Sequence, residues 1–158
     1  MTKPSFVYVT YIATTCEKVW QALVDGDITR RYWFGPFQLP EGLEHRSDWQ
    51  PGSRWESRRA DAERSVAMVG KVISSAPPSR LVLTWTRPND EGDEAGQSLV
   101  TFQIEDQSLG VVRLTVIHEN LEKDPRMLKE ISDGWPRVLS NLKTLLETGN
   151  VLPTSLWK

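Results

Sequence analysis

The sequence predicts an α+β fold in which a curved antiparallel sheet of six to seven strands is covered by a long C-terminal helix. Two observations carry this prediction. The first is order: a strand, two short helices, a run of extended segments and a final helix, which is not the strand-helix alternation that builds a parallel sheet. The second is patterning, since consecutive strands keep their apolar residues on one face and the last helix carries a matching apolar stripe.

Taken in order, Phe6 to Ile12 is β-branched or aromatic throughout and suits a pleated strand. Thr14 or Thr15 then offers a cap for a helix from Cys16 to Val24, with Val19, Trp20, Leu23 and Val24 on one face. Asp27 is the expected cap of a second helix through Ile28 to Trp33, stopped by Gly35-Pro36. Pro40-Glu41-Gly42 and Pro51-Gly52 read as turns, with a short strand near Arg46 to Trp49. Five extended runs follow: Arg54 to Arg59, Ser65 to Ser74, Arg80 to Arg87, Ser98 to Glu105 and Val111 to Glu119. Alternation puts Leu81, Leu83 and Trp85 on one face, as it does Val100, Phe102 and Ile104, and Val112, Leu114 and Val116.

That apolar face needs a cover, and the C-terminal helix supplies it. Ile131, Trp135, Val138, Leu142 and Leu145 recur at helical spacing, and Gly149-Asn150 ends the run. Pro136 inside the pattern costs a hydrogen bond, so a kink or a fresh start capped by Asp133 is expected near Gly134.

A length of 158 residues suits a single domain spanning 1–158, with a core from 6 to 149 and a tail from 150 to 158. Nineteen basic and twenty-one acidic residues leave a net charge of -2, which makes nucleic acid and membrane surfaces poor partners. The lone Cys16 and the lack of a signal-like apolar run point to the cytoplasm.

An ordered set of short segments carries a family resemblance. Cys16 to Leu23, Arg31-Tyr32-Trp33-Phe34, Gln50-Pro51-Gly52-Ser53, Gly70-Lys71-Val72, Leu81 to Trp85, Gly134-Trp135-Pro136 and Leu145 to Gly149 resemble the family related to activators of the ninety-kilodalton heat-shock-protein ATPase. The resemblance implies the helix-grip fold shared with the birch-pollen allergen and steroidogenic lipid-transfer domains, with a cavity between sheet and helix. The eukaryotic activators resemble this chain only in their C-terminal domain.

Candidate chemistry is sparse. His45 and His118 are the only histidines and have no partner at metal-ligand spacing, so neither a metal nor a cofactor is expected. His118 continues the series of Val112, Leu114 and Val116, which makes it either a cavity base or a core histidine held by a hydrogen bond, the latter favoured. Cys16 reads as a small apolar residue, and Glu91, Asp93 and Glu94 as a solvated loop. Arg54, Arg58, Arg59 and Arg64 could attract an anionic group or simply protect a sheet edge.

The expected lining of the cavity is Trp85, Phe102, Leu114, His118, Trp135 and Leu139, with Trp33 and Trp55 as weaker members. The leading expectation is a non-catalytic domain binding an unknown hydrophobic small molecule. A co-chaperone-like module acting on a heat-shock ATPase is the alternative, and a cyclase- or hydrolase-type enzyme using cavity residues is the third. The apolar Leu156-Trp157 pair of the tail either docks on its own domain or packs across a homodimer.

Overall fold

The computed structural model describes residues 5–34, 41–61 and 63–153. The Gly35-Pro36 stop, Pro40, Ala62 and the Leu156-Trp157 pair lie outside the described residues.

Strand β1 (Phe6–Ile12) and helix α1 (Cys16–Val24) match the sequence reading, with Thr15 capping α1 by accepting from the Lys18 amide. Helix α2 (Gly26–Tyr32) is capped by Asp25 and not by Asp27. Asp25 ends α1 through its amide and starts α2 through its carboxylate, which accepts from the Asp27 amide, so Asp27 falls inside the first turn.

Six more strands follow: β2 (Leu43–Arg46), β3 (Arg54–Arg59), β4 (Val66–Ala76), β5 (Arg80–Trp85), β6 (Ser98–Asp106) and β7 (Val112–Glu119). Two single 3₁₀ turns, Pro88–Asp90 and Glu94–Gly96, sit between β5 and β6. The strand expected from Arg46 to Trp49 lies three residues earlier. The Thr29 hydroxyl on α2 donates to the Leu43 carbonyl and accepts from the His45 amide, while Trp49 adopts φ 57°, a left-handed geometry that no strand continues through.

The strands form one antiparallel sheet in the order β1-β7-β6-β5-β4-β3-β2. Register shifts fall beside Ser57/Arg58 against β3 and between Val72 and Ser74 against β5, so β4 carries an irregularity towards each neighbour. Bulges of this kind sharpen twist and curl a sheet.

Helix α3 (Pro125–Thr148) runs unbroken through Pro136. The fresh start expected at Asp133 does not occur. Asp124 caps the helix by accepting from the Met127 amide, Pro125 fills the first turn, and Gly149 closes it at φ 83°. Proline 136 lacks only one N–H, whereas buried residues on both sides of it, Met127, Ile131, Trp135, Val138, Leu142 and Leu145, hold the helix to the core.

The three strand faces read from alternation are buried. Helix α3 runs close to β1, α1 and α2 and makes no comparable backbone approach to any of the strands β2 to β7. A long helix laid against one face of a curled antiparallel sheet is the helix-grip architecture, and a cleft lies between α3 and the β3 to β5 part of that face. The chain after α3 turns back on it: Leu152 donates its amide to Asn141 Oδ1 at 3.1 Å, and Val151 packs against the core.

Candidate functional site

Four tryptophans and two histidines converge where α2, β2, β3, β5, β7 and α3 meet. Trp85 on β5 lies 4.8 Å from Trp55 and 5.4 Å from Trp135 between ring centroids, and Trp33 lies 5.4 Å from Trp135. Trp55 is locked in place: its indole N–H donates to the Thr84 carbonyl at 2.8 Å, passing over Gly70. A Cβ at Gly70 would come within 1.9 Å of that carbonyl and 2.5 Å of the indole nitrogen, so only glycine permits this approach.

His118 is a satisfied core residue. The Trp135 indole N–H donates to its Nδ1 at 3.1 Å, its Nε2–H faces the Ser98 hydroxyl at 2.8 Å, and that hydroxyl donates to the Trp85 carbonyl. Burial pushes its pKa down to about 3, so the ring is neutral, and both nitrogens are engaged. It has no free lone pair for a substrate proton.

His45 differs. It is also buried and pushed down to about 3 by desolvation, opposed by a hydrogen bond to the Leu23 carbonyl. Its ring lies 4.2 Å from that of Trp33, yet its Nε2 has no partner among the described residues. Directly opposite it on β3 stands Ser57, buried, whose hydroxyl is also unpartnered. Residues opposed in an antiparallel pair share a face, so both side chains project from the same side of the sheet.

Beside this cluster, a cleft of about 410 Å³ lies between the sheet and α3. Ser57, Met68 and Trp85 form its sheet side, Trp33 and Leu43 one end, and Met127, Ile131, Gly134, Trp135 and Val138 its helix side. A Cβ added at the buried Gly134 would meet nothing within 4 Å, so the missing side chain is part of the open volume.

Of the residues expected to line a cavity, Trp33, Trp85 and Trp135 border this cleft. Phe102, Leu114, His118, Trp55 and Leu139 do not border it: each is buried in the core. His45, Ser57, Met127, Gly134 and Val138 escaped sequence reasoning as site residues. His45 was hidden by the misplaced strand, while Met127 and Val138 carried a legible signal in the helical stripe.

Charged groups form the rim. Arg87 pairs with Asp124 and, at 3.3 Å, with Glu130, which also accepts from Arg126 at 2.9 Å. The basic stripe noted in the sequence is mostly neutralised: Arg54 pairs with Glu91 and Glu56, Arg58 with Glu56, and Arg64 with Glu44. Burial works to raise the Glu56 pKa, but hydrogen bonds from Arg54 and Arg58 bring it below the ordinary range. Among the described residues no cluster of side chains could hold a metal ion, and no helix is long and apolar enough to cross a membrane.

The sequence matches the family model described as Activator of Hsp90 ATPase homolog 1-like protein over residues 13–147. No curated protein matches it. Among solved structures it is similar to an HSP90 activator from Plasmodium falciparum, at 20% identity and TM-score 0.70 over 90% of this chain and 95% of that one. It is also similar to the Aha1 dimer from Colwellia psychrerythraea, at 18% identity and TM-score 0.70 over 92% and 98% of the two chains. A protein from Cytophaga hutchinsonii aligns at 25% identity and TM-score 0.68 over 92% and 96%. The TM-scores show that these structures share the fold described above, and the matched family span takes in α1 through most of α3. This chain belongs to the Activator of Hsp90 ATPase homolog 1-like protein family.

Proposed function

We propose that this protein binds a small apolar or amphipathic molecule in the cleft between the sheet and α3, and performs no reaction on it. One observation carries the reading: a cleft of about 410 Å³ walled by Trp33, Trp85, Trp135, Ile131 and Val138. That volume falls within the range of small-molecule sites, and apolar walls left without partner atoms forfeit dispersion contacts that a ligand restores. With both nitrogens of His118 engaged, the histidine that could have served as a base is occupied structurally.

Titration with the neutral probe N-phenyl-1-naphthylamine, read by probe and tryptophan fluorescence and by melting temperature, tests this. Saturable binding with a raised melting temperature is expected. A flat response in all three signals would overturn the reading.

A second reading is a co-chaperone-like module, favoured by similarity to the Plasmodium falciparum HSP90 activator. Under it the chain raises the turnover of a heat-shock ATPase, whereas a pure ligand carrier leaves that turnover unchanged. The similar Colwellia psychrerythraea structure is a dimer, and here the edge strand β1 exposes Val7 and Tyr11, each at least half accessible, as a surface a second copy could cover. Sedimentation of wild type beside Val7→Lys checks that. The cytoplasm is the proposed location, on the strength of the unpaired Cys16.

A further inference from the structure

The cleft is apolar along its walls but has two unused polar groups on one strand. Ser57 and Arg59, two residues apart on β3, both border it, as alternation along a strand requires of residues on one face. The Ser57 side chain is buried, with its hydroxyl unpartnered. Arg59 is exposed at the rim and makes no ion pair among the described residues, whereas Arg54, Arg58 and Arg64 are all matched by carboxylates. The charged residues bordering the cleft are Arg59, Arg87, Arg126 and Glu130, so its edge is positive in a chain whose net charge is -2. Arg87 and Arg126 are already committed to Glu130 and Asp124.

We propose that the cleft selects an apolar carboxylic acid, its head group held at β3 by Arg59 and hydrogen-bonded by Ser57, its tail lying against Trp85, Trp135 and Ile131. The inference rests on the reading of the cleft as a binding site and adds the chemical class of its occupant. One unmatched guanidinium suits one negative charge, and its planar fork suits the two oxygens of a carboxylate. The hydroxyl of Ser57 gains the acceptor that the protein does not supply, which removes the cost of a buried polar group left unpaired.

The test compares decanoate, 1-decanol and decyltrimethylammonium by calorimetry and by displacement of N-phenyl-1-naphthylamine. Wild-type protein is expected to bind decanoate about tenfold more tightly than decanol, the size that a hydrogen bond to a charged group supports, and the cation most weakly. Arg59→Gln should abolish the preference for decanoate over decanol, the loss falling mainly on decanoate. Arg59→Lys should restore part of it, and Ser57→Ala should weaken decanoate roughly three- to tenfold. Melting temperatures of the variants confirm folding. Equal affinity for acid and alcohol in the wild type, or a preference that survives Arg59→Gln, overturns this proposal and leaves the apolar cleft standing. If no probe binds, both readings fall together.

Discussion

The two halves of the sheet share one apolar pattern and end in opposite states. Under α3 and β1, the faces of β6 and β7 are filled: Phe102, Leu114, Val116 and Leu139 are buried, and even the polar His118 finds two partners. Toward β3, β4 and β5 the same kind of face borders the cleft, and a buried histidine on β2 and a buried serine on β3 are left with unpartnered atoms. Alternation therefore says which residues turn inward. Whether they meet a neighbour depends on where the covering helix runs.

The largest expected effect breaks the closed half. Leu139→Ala should lower unfolding free energy by about 2–5 kcal/mol, because the surrounding core cannot collapse into the gap. Met68→Ala, half-buried beside the cleft, should cost less than about 1 kcal/mol. Chemical denaturation of the two variants measures the contrast, and equal losses would mean that both halves are packed alike.

Acid distinguishes the fold from its unfolded chain through both histidines. Each has a folded pKa of about 3, while an unfolded histidine titrates near 6.5. Between these values the unfolded state binds more protons, so stability rises with pH across that window. It is complete above about 6.5 and falls by about 1.4 kcal/mol per pH unit for each histidine as pH drops toward 3. The carboxylates of Glu56, Asp124 and Glu147, all depressed in the fold, add losses of the same sign as pH falls further. In His45→Phe the slope between pH 6 and 4.5 should decrease by about half. An unchanged slope would show that His45 is accessible to protons in the folded state.

The smallest effect has the opposite sign. Gly134→Ala places a methyl group in open space within a helix, and the loss of backbone freedom in the unfolded chain should stabilise by about 0.5–1 kcal/mol. Destabilisation would place hidden atoms against that position.

Much of this was legible in the residues. Phe6 to Ile12, Cys16 to Val24 and Arg54 to Arg59 have the bounds their chemistry predicts, and the inward series on β5, β6 and β7 are inward in the structure. Trp33, Trp85 and Trp135 were recognisable as cleft candidates because large aromatics stood at inward or helix-stripe positions. What could not be read was set by tertiary contacts. The register of β2 depends on the Thr29 hydroxyl, fourteen residues from the carbonyl it holds, and the left-handed Trp49 carries no glycine-like signal. Pro136 suggested an interruption, but burial on both flanks outweighed one missing hydrogen bond. Phe102, Leu114 and Leu139 look like cavity residues from pattern alone, and the packing of the core around them, which pattern does not show, fills the space they face.

The most direct test of the open half is Gly134→Leu, assayed with N-phenyl-1-naphthylamine beside the wild type. A leucine at this position extends into the space between α3 and Trp85, so the account predicts a folded protein of equal or higher melting temperature that no longer binds the probe. Undiminished binding by a folded Gly134→Leu protein would contradict it.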